Sequence, residues 1–188
     1  MGAMAAYSSI PSSRPTRYSW ETRWLHWVTA VLVVEQFAVG QLAWHLMDRA
    51  APLRAFLVVT HTSLGVLLAA VFVTRMTWAM TGGRAIRFPV VTFQDRVARS
   101  VHRLLYLLLG GEIVFGYMAR WSTGRPVIAF GVPINSPFPE LLGGTHSFFS
   151  SLHHWNAWLL FGLACFHAGT GFHHLLVRRD RVFQRMLP

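Results

Sequence analysis

Lysine is absent from this chain of 188 residues, so all 17 of its Lys/Arg positions are arginine. Cysteine occurs once, at Cys165. That single thiol excludes an internal disulfide, a CxxC redox pair and a CxxCH site for covalent haem attachment, and it reads as a small core residue. Charge is scarce too: 13% of residues are charged, where a soluble domain usually has about 25%. What is plentiful is apolar, with 53% hydrophobic residues and a mean hydropathy of +0.39.

The apolar residues gather into four runs, about 24–46, 58–80, 101–120 and 150–177. Each reaches the ~20 residues that a membrane-spanning helix needs. The expected fold is an all-α integral membrane four-helix bundle with no room for a separate soluble domain. Residues 1–19, rich in Ser, Pro and Ala, read as a disordered tail, and 20–188 as the bundle. The first run is too long for a cleaved signal peptide and lacks a cleavage site, so it is expected to stay as helix one. Helix three is expected to start near His102, after an arginine-rich connection over Gly82–Arg99, and to end about Trp121. A loop over 122–148 carries Gly124, Pro126, Pro133, Pro137 and Pro139 and cannot be one regular helix.

A net charge of +10 would suit nucleic acid, but the placement of the arginines argues against that partner. Only Arg49, Arg54, Arg120 and Arg125 fall on one side of the four runs, and the other thirteen on the opposite side. That is a positive-inside pattern placing both termini in the cytoplasm. The charge is topological, and the partner is the lipid bilayer.

Histidine is where chemistry enters. His153 and His167 lie fourteen residues apart on one apolar run. On a helix that spacing puts them within roughly 40° of one face and ~21 Å apart along the axis, one in each half of a membrane. Histidines at membrane depth are costly and normally paired or ligated. Under the expected topology His26 matches His167 near the inner surface, and His61 matches His153 near the outer. Two axial imidazoles on facing helices are what a non-covalent b-type haem requires, so the four predict two b haems. Zinc fits less well, because each pair lacks its third and fourth ligand. Small residues four positions after each histidine (Ala30, Gly65, Ala157 and Gly171) leave room for a flat porphyrin. His45 and His146 read as external interfacial residues, and His154 and His173 as pointing off the ligand face.

Six stretches in order resemble the bacterial cytochrome b561 family of di-haem membrane cytochromes: YSWETRWLHWVTA at 18–30, HTSLG at 61–65, RMTW at 75–78, HRLLY at 102–106, GRPVIAFGVP at 124–133 and RDRVFQRMLP at 179–188. The resemblance carries the family's haem ligands onto His26, His61, His153 and His167. It implies a bacterial inner-membrane protein moving electrons between a periplasmic donor, superoxide in some relatives, and membrane ubiquinone. That is the activity of a superoxide:ubiquinone oxidoreductase. The family's histidine seven residues past the last ligand is here His174, two helical turns and ~10 Å beyond His167 on nearly the same face. It is the first candidate for the quinone site, at the cytoplasmic end, with His102 the second. Arg49, Arg54, Arg120 and Arg125 would steer a small anion to the outer surface.

Two alternatives stay open at this point. One is a haem b anchor subunit passing electrons between quinone and a separate dehydrogenase or hydrogenase. The other is a histidine-lined ion transporter, kept alive by Glu35 and Glu112 inside helices one and three, where the family is usually apolar.

Overall fold

The computed structural model describes residues 17–81, 92–138 and 144–187. Residues 1–16 of the expected tail, 82–91 of the expected connection and 139–143 of the expected loop, Pro139 among them, lie outside them. Four helices carry the fold: α1 (Trp20–Gln41), α2 (Pro52–Met80), α3 (Phe93–Trp121) and α4 (His146–His173). Helix α1 continues as a π-helical turn over Leu42–Leu46, and α4 over His174–Arg178. All four are long and apolar enough to cross a membrane. Val31, Leu107, Trp155 and Leu159 stand exposed on their outer faces, as expected of surface that meets lipid rather than water.

The helix starts follow local chemistry. Ser19 caps α1 by accepting from the Thr22 N–H, and Pro52 opens α2 at its first turn, where its missing N–H costs nothing. Helix α3 starts at Phe93, well before the expected start near His102. Thr92 Oγ1 accepts from the Asp95 N–H, and the Asp95 carboxylate accepts from the Thr92 N–H. This capping box turns the arginine-rich stretch into a helical extension. Helix α4 likewise starts at His146, which shortens the expected 122–148 loop.

The helices pack mainly as two hairpins, α1 on α2 and α3 on α4, with sparser contact between the hairpins. At mid-height the hairpins meet through one buried leucine from each helix: Leu32, Leu68, Leu109 and Leu160. Phe37 stacks on Phe161 at 3.9 Å across the α1–α4 seam. Cys165, expected in the core, is exposed. It lies two residues, about 200°, from His167, and so faces away from the bundle axis.

Each end of the bundle has its own cover. At one end a two-stranded antiparallel hairpin, β1 (Val127–Ala129) and β2 (Val132–Ile134), lies against α2. Its turn residues Phe130 and Gly131 both have positive φ, 50° and 83°, as a type I′ turn demands. Thr62 donates to the Ile128 carbonyl at 2.7 Å and Phe130 N–H donates to Ser63 Oγ at 2.9 Å. At the other end the chain folds back after Arg179, itself left-handed at φ 50°. The Trp27 indole donates to the Met186 carbonyl and Arg23 to that of Leu187, at 2.8 and 2.7 Å. Tyr18 N–H donates to the Arg185 carbonyl, so residues 18 and 185 meet at this end.

Candidate functional site

The bundle brings the four singled-out histidines together in the two pairs expected. At the hairpin end the rings of His61 (α2) and His153 (α4) stand 6.2 Å apart between centroids, inclined by 79°. At the terminal end His26 (α1) and His167 (α4) repeat the arrangement, also 6.2 Å and 79°. The leucine layer lies between them.

That separation can be tested against a metal. An imidazole nitrogen sits about 2 Å from a bound transition metal, and its ring centre roughly 1.1 Å further, so two trans imidazoles have centroids about 6.2 Å apart. Edge-to-face ring pairs reach the same distance, so what points to a metal is its repetition at both ends together with the cavity around the rings. At the hairpin end a cavity of about 580 Å³ contains both rings in its lining, within the roughly 300–1,000 Å³ of ligand pockets. It is walled by apolar groups such as Val33, Leu68 and Leu109, as a porphyrin face needs. These residues fit a non-covalent haem.

The glycines that matter most are on the neighbouring helices. A Cβ on Gly116 (α3) would meet His153 Cε1 at 3.0 Å, and one on Gly40 (α1) would meet His61 Cε1 at 3.4 Å. Each glycine lets a helix backbone pass flat against an imidazole. Of the small residues expected to make room, Gly65 faces Gln36, and Gly171 is filled by Phe183 from the folded-back tail. A sequence signal for the two cradles exists. His26 to Gly40, His61 to Arg75, His102 to Gly116 and His153 to His167 are all fourteen residues apart, so each helix contributes one position to each site.

The polar surroundings of the two pairs differ. His153 Nδ1 lies 3.0 Å from Glu112 Oε1 and 3.2 Å from the Glu112 backbone carbonyl. Asn156 Nδ2 donates to Glu112 Oε2 at 2.7 Å and to the Leu108 carbonyl at 2.9 Å. Glu112 is therefore held on both oxygens. His61 Nδ1 is buried and bonds no side chain among the described residues. At the other pair the nearby charge is a cation: Arg75 Nη2 is 3.4 Å from His26 Nδ1, and its guanidinium lies over Tyr106 at 5.0 Å.

The remaining histidines divide. His102 stands against the terminal pair, its ring 5.0 Å from that of His167. His174 lies apart from it and binds Asp180 through Nδ1 at 2.7 Å. That hydrogen bond holds the Asp180 carboxyl below its ordinary range. The contact is thus present at neutral pH and is lost as the pH falls through the depressed Asp180 value. His154, expected off the ligand face, lines the hairpin-end cavity and meets His45 at 5.2 Å. His146 Nδ1 lies 2.9 Å from the Ala119 carbonyl.

An apolar four-helix bundle with imidazoles facing one another in its interior defines a class, the b-type haem cytochromes of membranes. The chain belongs to the prokaryotic cytochrome b561 family, whose family model matches residues 17–188. It is similar to cytochrome b561 homolog 2 of Escherichia coli strain K12, with 27% identity over 186 residues covering 94% of each chain. It is accordingly a multi-pass protein of the bacterial inner membrane with a role in b-haem electron transfer.

Proposed function

We propose that the chain holds two b haems, one between His61 and His153 and one between His26 and His167. In this reading it carries electrons between a periplasmic donor and membrane ubiquinone. The observation that supports it most is the repeated ring separation of 6.2 Å at two ends of one bundle. Bound haem supplies reversible one-electron carriage, and the protein contributes ligands, burial and nearby charge. The expected result is two non-covalent b haems per chain in a pyridine haemochrome assay of the purified protein. One haem or none overturns the reading.

The arginine distribution supports a topology with the hairpin end in the periplasm and both termini in the cytoplasm. Superoxide is the donor that suits this polarity, since Arg49, Arg54, Arg120 and Arg125 would attract a small anion. Part of that charge also has structural work: Arg54 Nε donates to the Ala43 carbonyl and Arg120 Nε to that of Pro126. Oxidation of two superoxide ions to dioxygen releases two electrons, which with two protons convert ubiquinone to ubiquinol.

At the cytoplasmic end His174 is the quinone contact we favour, with His102 second. With Nδ1 bound to Asp180, Nε2 is the atom left for a quinone carbonyl. Donation from Nε2 requires the ring to carry both protons, the state for which Asp180 is the counter-ion. His174→Ala is expected to leave the visible haem spectrum intact while slowing ubiquinol formation in proteoliposomes supplied with superoxide. Unchanged quinone kinetics with both haems present would move the site elsewhere.

A further inference from the structure

We propose that Glu112 is a positioning residue for the periplasmic haem site. Its carboxylate accepts the Nδ1–H of His153 and so holds that haem at a lower reduction potential than the cytoplasmic one. The inference rests on the reading of His153 as an axial ligand. Three features of the structure carry it.

The first is geometry. The Glu112 carboxylate lies 3.0 Å from the His153 nitrogen that would not face the metal, and its side chain is only 15% exposed. A ligand histidine that donates its other N–H to a carboxylate becomes a more basic, more electron-rich ligand. Such a ligand stabilises ferric over ferrous iron, and the anionic charge acts in the same direction through a medium of low dielectric.

The second is that Glu112 is fixed. Asn156 donates to its other oxygen at 2.7 Å and to the Leu108 carbonyl, which pins the carboxylate to α3 and α4 at once. An acid serving as an ion-relay station would need a free oxygen to exchange protons with a chain of partners. Both oxygens of Glu112 are engaged.

The third is the contrast with the other site. There the charge beside the histidines is Arg75, 3.4 Å from His26 Nδ1, and a cation favours the reduced iron. Arg120 also lines the periplasmic cavity but is held by the Pro126 carbonyl rather than at a ligand nitrogen, so an anion on the ligand at one site and a cation beside the ligand at the other separate the two potentials. The resulting gradient runs downhill from the periplasmic haem to the cytoplasmic haem, the direction that superoxide oxidation and quinone reduction require.

The test is Glu112→Gln. The amide oxygen can still accept from Nδ1–H, and the Glu112 backbone carbonyl remains at 3.2 Å, so the ring keeps its orientation while the charge is removed. The amide NH2 then faces Asn156 Nδ2, which keeps its bond to the Leu108 carbonyl. Redox titration of the haem spectrum is expected to show both haems present and the lower midpoint raised. The rise should correspond to about tenfold in the reduction equilibrium, about 59 mV for one electron, with the higher midpoint unmoved. A purely structural role would alter haem content or melting temperature and leave the midpoints in place; two haems with unshifted midpoints overturn the proposal.

If E112Q fails to hold its periplasmic haem, the otherwise wild-type sites decide. The haem left in His26→Ala reports the periplasmic site, and the haem left in His61→Ala the cytoplasmic site. A periplasmic midpoint at or above the cytoplasmic one overturns the proposal, and one below supports it. Retention of both haems in His153→Ala is a separate result. It removes the ligand assignment itself, and the proposal with it.

Discussion

Replacing His61 or His153 by Ala is expected to remove one b haem and leave the other, halving the haem content per chain in a pyridine haemochrome assay. The two pairs share no side chain, and the leucines Leu32, Leu68, Leu109 and Leu160 lie between them, so neither site needs the other to be ligated. The two variants should differ in stability. Among the described residues His61 Nδ1 bonds no side chain that its loss would strand, whereas His153→Ala takes from Glu112 the donor on Oε1. A buried polar group left without its partner costs about 1–3 kcal/mol. The His153 variant is therefore expected to melt below the His61 variant. Loss of both haems from either variant, or of neither, would mean that the pairing is wrong.

Gly116→Ala is expected to weaken haem binding at the same site without touching a ligand. The added Cβ would stand 3.0 Å from His153 Cε1. The ring cannot simply retreat, because Nδ1 is tied to Glu112 on the same helix as the glycine. Overpacking of this kind costs about 1–3 kcal/mol, which is roughly 5–150-fold in haem affinity. Gly162→Ala on α4 is the matched control, since nothing lies within 4 Å of its added Cβ. There the only effect is the gain of about 1 kcal/mol in helix propensity. Haem titration of the two purified apo-variants compares them directly. Equal affinity in both would show that the Gly116 contact does not constrain the ring.

The architecture was legible because a membrane helix writes itself along the chain. It needs an apolar run of sufficient length, and four such runs are visible whatever the packing. The pairing of His26 with His167 and His61 with His153 was legible for a related reason: in helices of known direction, residue number measures depth. The boundaries were less so. Thr92 and Asp95 extend α3 into polar sequence, where hydropathy reports nothing and a two-residue hydrogen-bond motif decides. The hairpin over 127–134 was hidden as well, because three-residue strands carry too little periodicity to register.

Taken alone, then, the sequence determined the number of spans, their order and which histidines share a depth, all properties of single helices read one at a time. Rotation of each helix about its own axis is set by packing against its neighbours, and only the tertiary structure decided it. That rotation puts Gly40 and Gly116 flat against the rings of His61 and His153 and turns Cys165 outward. It likewise brings His102 to His167, and the folded-back tail onto Trp27. The role of Glu112 belongs here too. An acid inside an apolar run reads equally as a proton site or a bonded partner, and the choice depends on what the facing helix presents. Here α4 presents His153 and Asn156, one to each oxygen of the carboxylate.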